Sequence, residues 1–269
     1  MGAPPLRSLG CPVAVVLMLG WARPAHAHSA VPVTETFAIR GHSQTLHIYG
    51  SRGGDPVIVS SGDGGWIHLA PHVAELLAQC GYRVIGFDAR AYLSSFTSST
   101  GALQPADVIG DYTTLIRYAS RETGRAPVLI GVSEGAGLSV LAGTGRRVKP
   151  EIEGVVGVGL GDANELAWHW TDSTIYLTHR VPHEPLFSAI ALVQRLAPVP
   201  LALIHSSHDE YVPPAEADRI LHAATGPARL WSVNASNHRF SGNLAEFDRR
   251  LIEALAWVDQ HRQQTVTRP

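Results

Sequence analysis

A chain of 269 residues with 45% hydrophobic and 16% charged side chains can bury a sizeable core, and it lacks the charge excess of a disordered protein. Its formal net charge of −2 gives no basic excess, which removes nucleic acid as a partner recognised by whole-chain electrostatics. At this length we expect one α/β domain, placed over residues 28–269 behind a secretory leader over residues 1–27.

The leader is read from Arg7, the apolar run Val13 to Ala22, and the small residues of Ala25-His26-Ala27, where a signal peptidase would cut to leave His28 first. That run is about half of the roughly 20 residues a membrane helix needs, so export is expected rather than anchoring, with no integral span once the leader is removed. Cys11 would leave with the leader. Cys80 would then stand alone, and stability would come from the core without an internal disulfide.

Along the remaining chain, β-formers at Thr34 to Ile39 and Thr45 to Tyr49 flank Gly41 and predict an opening hairpin. Short continuous apolar runs then recur at Pro56 to Ser60, Arg83 to Phe87, Pro127 to Ile130, Gly154 to Leu160 and Pro200 to Ile204, with a further strand-like stretch at Arg229 to Val233. Continuous runs of this length fit strands buried on both faces. Between them, three- and four-residue apolar spacing predicts helices over His68 to Ala78, Pro105 to Ala119, Ala136 to Ala142 and Pro214 to Ala223, with a last one from Leu244 to Val258. Alternating strands and helices predict a mostly parallel central sheet with helices on both faces, joined by right-handed crossovers. The stretch from Gly161 to Pro198 is long for a connection and holds Trp168, Trp170, Tyr176 and Phe187. It reads either as a cap-like insertion over the site or as an irregular loop packed on the sheet edge, because aromatic residues also fill cores.

Gly131-Val132-Ser133-Glu134-Gly135 is a G-x-S-x-G pentapeptide between a buried strand and a helix rich in small residues. Such a turn forces its serine into a strained backbone conformation and lifts Oγ clear of the sheet, as an α/β-hydrolase nucleophile requires. A serine hydroxyl needs a base, and the base needs a partner to fix its tautomer. Asp209, after the strand Pro200 to Ile204, and His238, after Arg229 to Val233, complete the Ser…Asp…His order of this fold class. For the oxyanion, the backbone N–H of Glu134 is one expected donor, and Gly64 or Gly65 in the Gly-rich loop Ser61 to Trp66 is the other. Asp63, Trp66, Trp168 and Trp170 are expected to contact the substrate. The Glu134 carboxylate either faces the pocket, where with Asp63 it would favour an amine-bearing acyl group, or merely complements the helix N-terminus. The chain holds 14 histidines, and His205, His208 and Asp209 resemble a ligand cluster; without a recognised zinc spacing we expect neither metal nor cofactor.

These motifs resemble a known family. VIVSSGDGGW (Val57 to Trp66), GYRVIGFDARAY (Gly81 to Tyr92), VLIGVSEGAG (Val128 to Gly137), HSSHDEYVP (His205 to Pro213) and NHRF (Asn237 to Phe240) together are similar to the AcvB/VirJ family of bacterial virulence-associated proteins. The resemblance implies a periplasmic α/β-hydrolase with Ser133, Asp209 and His238 in the triad positions. From the AcvB branch it also implies an aminoacyl ester substrate, that of lysyl-phosphatidylglycerol. This chain departs from the family pattern where Glu134 follows the serine, where Gly137 replaces an acid, and where His238-Arg239 replaces paired histidines. Three readings of function follow: hydrolysis of an ester on a membrane lipid headgroup, hydrolysis of another carboxylic ester outside the cytoplasm, or a non-catalytic periplasmic binding or assembly role as in the VirJ branch.

Overall fold

The computed structural model describes residues 32–98, 101–169 and 185–266. The expected leader, Trp170 and Tyr176 lie outside the described residues.

The chain opens with β1 (Val33–Ile39) and β2 (His42–Tyr49), an antiparallel hairpin closed by Arg40 and Gly41, both at positive φ. Next come β3 (Pro56–Ser60), α1 (Leu69–Gln79), β4 (Arg83–Phe87), α2 (Ala89–Phe96), α3 (Pro105–Ser120), β5 (Val128–Val132) and α4 (Glu134–Gly143). β6 (Gly154–Val158), β7 (Ala163–Glu165), β8 (Leu186–Ser188), α5 (Ala189–Val193), β9 (Leu201–Ser206), α6 (Pro214–Ala223), β10 (Ala228–Val233) and α7 (Leu244–Val266) follow. Eight strands form one sheet in the order β1-β2-β4-β3-β5-β6-β9-β10, parallel from β4 to β10 and antiparallel only where the hairpin joins.

Every residue of β3, β5, β6 and β9 is buried, which is why their sequences run apolar without alternation. Successive side chains serve opposite faces. Ile58, Leu129, Val155, Leu201 and Leu203 join a core with Tyr92, Tyr112 and Leu115 from α2 and α3. Val57, Val59, Ile130, Val156 and Ile204 join a second core with Leu77 of α1 and Phe247 and Leu251 of α7. Each fully buried aliphatic side chain contributes about 1.5–3 kcal/mol relative to exposure, so the two layers fix the sheet from both sides. α4 is buried along its whole length, and its small residues let it lie tightly between strands and α3.

The described ends of the Gly161 to Pro198 stretch pair with each other as β7 and β8, Ala163 opposite Ser188, in a separate two-stranded sheet. Its central part, where a cap would sit, lies outside the described residues. Cys80 is free and exposed.

Candidate active site

The strand ends deliver the site. Ser133 follows β5 at φ 52° and ψ −118°, a backbone conformation that residues with a Cβ rarely adopt. Strain of this kind costs about 1–3 kcal/mol, and here it is held by two bonds: the Ser133 N–H donates to Val158 O at 2.8 Å, and the Ala136 N–H donates to Ser133 O at 2.8 Å. The flanking glycines make the turn fit. A Cβ on Gly131 would lie 2.1 Å from Gly135 O, and one on Gly135 would lie 2.3 Å from Ser61 O. Gly62 brings the loop after β3 against the serine, since a Cβ there would stand 3.2 Å from Ser133 Cβ.

Asp209, in the loop after β9, is clamped through Oδ1 by the N–H groups of Tyr211 and Val212, each at 2.9 Å. Its Oδ2 lies 2.6 Å from His238 Nδ1, with the Asp209 side chain fully buried and that of His238 13% exposed. Burial alone would raise the Asp209 carboxyl, but the bond and charge of His238 and the two N–H groups outweigh it and hold it below the ordinary carboxylate range. A carboxylate on Nδ1 assigns the proton to that nitrogen and leaves Nε2 as the acceptor. The His238 ring is set from three further directions. Its backbone N–H donates to Glu210 Oε2 at 2.7 Å, Tyr211 meets it edge-on at 5.5 Å, and Gly159 leaves room on one side, where a Cβ would come within 2.6 Å of Cε1. Ser133 and His238 line one cleft, together with Asp63, Gly64, Arg90 and Arg239.

Several expected contacts are placed elsewhere. Glu134 has its backbone N–H at the start of α4, but its side chain turns inward, 8% exposed, and Oε1 accepts the Glu165 N–H at 2.7 Å. Burial first, and then the nearby Glu165 carboxyl, push Glu134 well above the usual carboxylate range against the pull of that N–H. A pocket-facing anion at Glu134 is therefore corrected: the residue beside the elbow is covered by β7, and its acid points into the protein. The Gly65 N–H donates to Gly62 O at 3.0 Å within its own turn, which leaves Gly64 of the two glycines expected as an oxyanion donor. Trp66 does not reach the cleft. Its ring stacks on His47 at 4.8 Å, bonds Tyr49 Oη through Nε1 at 3.3 Å, and fills the space left by Gly86, a role for a flat apolar ring under the hairpin. Trp168 packs on the first core beside Arg90 and does not line the cleft either. His208 bonds Ala235 O and Ser207 Oγ, whereas His205 is buried at the end of β9, so the two rings do not converge. Among the described residues no group of three or more His, Cys, Asp or Glu could hold a metal.

Arg90, Tyr211 and Arg239 line the cleft without having been singled out from the sequence. The readable signal is position: Arg90 sits just past the carboxyl end of β4 and Arg239 just past the expected base, where open α/β sheets bind ligands.

Comparison with known proteins bears on this arrangement. Residues 55–156 match the model of the bacterial virulence protein VirJ family. The VirJ-like segment holds the loop Ser61 to Trp66, Arg90 and Ser133, and ends before Asp209 and His238. The resemblance to the AcvB/VirJ family thus holds over that part of the chain. No curated protein matches the chain. Among solved structures, an esterase of Pyrococcus furiosus superposes with a TM-score of 0.60 at 17% identity, covering 84% of this chain and 89% of its own. The Est1E protein of Butyrivibrio proteoclasticus gives 0.62 at 12% identity, with 84% and 98% covered. An esterase domain from Rhodothermus marinus gives 0.58 at 19% identity, with 85% and 98% covered. At such identities the likeness is one of fold, and the chain has the α/β-hydrolase fold.

Proposed function

We propose that the protein is a serine hydrolase acting on carboxylic esters through Ser133, His238 and Asp209. The observation that carries this reading is the 2.6 Å contact of Asp209 Oδ2 with His238 Nδ1, made in the cleft that Ser133 enters from a strained turn. In this reading Ser133 Oγ attacks the ester carbonyl while His238 Nε2 takes the hydroxyl proton. The tetrahedral oxyanion is met by the backbone N–H of Glu134 and by the Gly64 side of the loop after β3. The imidazolium gives its proton to the departing alcohol, and water then attacks the acyl-serine by the same route in reverse. Asp209 stays ionised and holds the ring. A fluorophosphonate probe should label the protein at Ser133, and Ser133→Ala should lose both labelling and turnover, by on the order of 10⁴-fold or more, with its melting temperature nearly unchanged. A Ser133→Ala protein that kept a tenth of the wild-type rate would overturn the assignment.

The setting follows from the sequence. The leader pattern supports export to the periplasm or beyond, with residues 28–269 as one catalytic domain, and among the described residues no helix is long and apolar enough to cross a membrane. The aminoacyl ester of lysyl-phosphatidylglycerol stays a substrate reading supported by the family resemblance. Of the two acids expected to receive its amine, Asp63 lines the cleft and Glu134 does not.

A further inference from the structure

We infer that Arg90 and Arg239 select esters carrying an anionic oxygen group, a carboxylate or a phosphate, beside the scissile bond. The inference rests on the ester-cleaving reading of Ser133 and adds the charge of the substrate. Both residues line the cleft with Ser133 and His238. Neither makes an ion pair among the described residues, whereas Arg40, Arg125 and Arg250 each meet a carboxylate.

Arg90 is aimed by packing instead of by charge. Gly65, at φ 86°, has no Cβ, and one placed there would stand 3.0–3.1 Å from Nε, Cζ and Nη2, so the guanidinium lies against bare backbone. The Trp168 ring faces the same group at 5.5 Å. A planar fork held this way, with no side-chain hydrogen bond among the described residues, suits the two oxygens of a carboxylate or phosphate. Arg239 follows a base that is itself fixed, and its backbone N–H is tied to Asn237 Oδ1 at 3.1 Å.

The two cations enter from opposite sides of the nucleophile strand β5. Arg90 follows β4, two strands to one side of β5, and Arg239 arrives in the loop after β10, the edge strand on the other side. An ester laid across Ser133 thus meets one cation on its acyl side and the other on its alcohol side. Among the described residues that line the cleft, Asp63 is the one carboxylate. With a whole-chain charge of −2, the preference is a local one.

The test compares matched esters. For the acyl side, p-nitrophenyl succinate is set against p-nitrophenyl levulinate, its neutral isostere; for the alcohol side, acetoxyethyl phosphate is set against its dimethyl triester. Charge-assisted hydrogen bonds predict a kcat/KM ratio favouring the anionic member of at least one pair by about tenfold or more. The ratio should fall toward one in Arg90→Gln or Arg239→Gln, survive in part in Arg90→Lys, and shrink with added salt because both groups are exposed. Reading a ratio removes any loss common to both esters. Equal rates within both pairs, or a ratio that neither Gln variant moves, overturns the inference while leaving ester cleavage in place. Calorimetry of monomethyl succinate binding to Ser133→Ala separates the two readings further. Binding to Ser133→Ala that requires Arg90 or Arg239, together with a wild-type protein that turns over no ester, would sustain the anion site and sink the hydrolase; no binding, and no turnover by the wild type, would sink both.

Discussion

Gly159 has φ 62°, and a Cβ there would meet His238 Cε1 at 2.6 Å, so this one missing methyl sets the place of the base. Gly159→Ala should therefore displace the ring and lower kcat on the order of 10²-fold, the scale of a 1 Å misplacement. Gly124→Ala is the control: it has a similar φ of 67° with nothing within 4 Å, so it should cost about 1 kcal/mol of stability and leave kcat alone. Equal kcat values for the two variants would show that Gly159 does not position His238. Asp209→Asn should keep the fold and slow turnover by on the order of 10⁴-fold, since an amide no longer fixes the Nδ1 tautomer. At this scale the sequence was most legible where a residue's place depends on strand position. Ser133, Asp209 and His238 each follow a strand end, and chain order paired them. It was least legible at Glu134, Trp66 and Arg90, because pattern cannot tell which way a side chain turns: β7 buries the first, His47 and Gly86 receive the second, and Gly65 frees the third.

Elements read well where their burial was uniform. β3 and β4 match their predicted bounds because each is an apolar run cut off by a turn residue. α2 was overlooked although Asp88 caps it, accepting the Ala91 N–H at 2.9 Å, because eight residues offer only two turns of periodicity. β7 and β8, three residues each, exist only through one another and leave no signal of their own. α7 continues to Val266 past the predicted Val258 because nothing polar within it breaks a helix. One tie between elements was invisible in sequence. Buried Asp111 on α3 accepts both Nε and Nη2 of Arg40 in the hairpin turn, each at 2.8 Å, and the Tyr92 hydroxyl of α2 at 2.7 Å. Asp111→Ala should cost about 2–4 kcal/mol, less than a fully buried pair because Arg40 is partly exposed, and should lower the melting temperature without altering the charge ratio above. Arg40→Ala with an equal loss would place the whole effect in the pair; a smaller loss would assign the rest to Tyr92.

Across the whole molecule, α4 lies within the first core, buried along its length, and Glu134 is an acid enclosed at its start. Because its folded-state affinity for a proton is raised, the folded chain holds a proton where the unfolded chain has released it. Stability from this group is thus highest below the ordinary carboxylate range and falls as pH rises through that range toward the raised value. Glu134→Gln keeps the acceptor for the Glu165 N–H and removes the titration. Its melting temperature should gain on wild type as pH goes from 4 to 8; a difference that does not change with pH would mean that Glu134 ionises freely. His205 acts in the opposite direction. Burial lowers its proton affinity despite the pull of Asp209, so its contribution is complete above the ordinary histidine range and is lost as acid is added.

The order of strands in the chain has a consequence for timing. The elbow is complete once β5, α4 and β6 have been synthesised, but the acid and base wait for the loops after β9 and β10, and the second core is not closed until α7 covers it. A chain emerging from the ribosome therefore releases the nucleophile turn before the residues proposed to activate it. Any product truncated ahead of residue 238 would lack the base of the proposed triad.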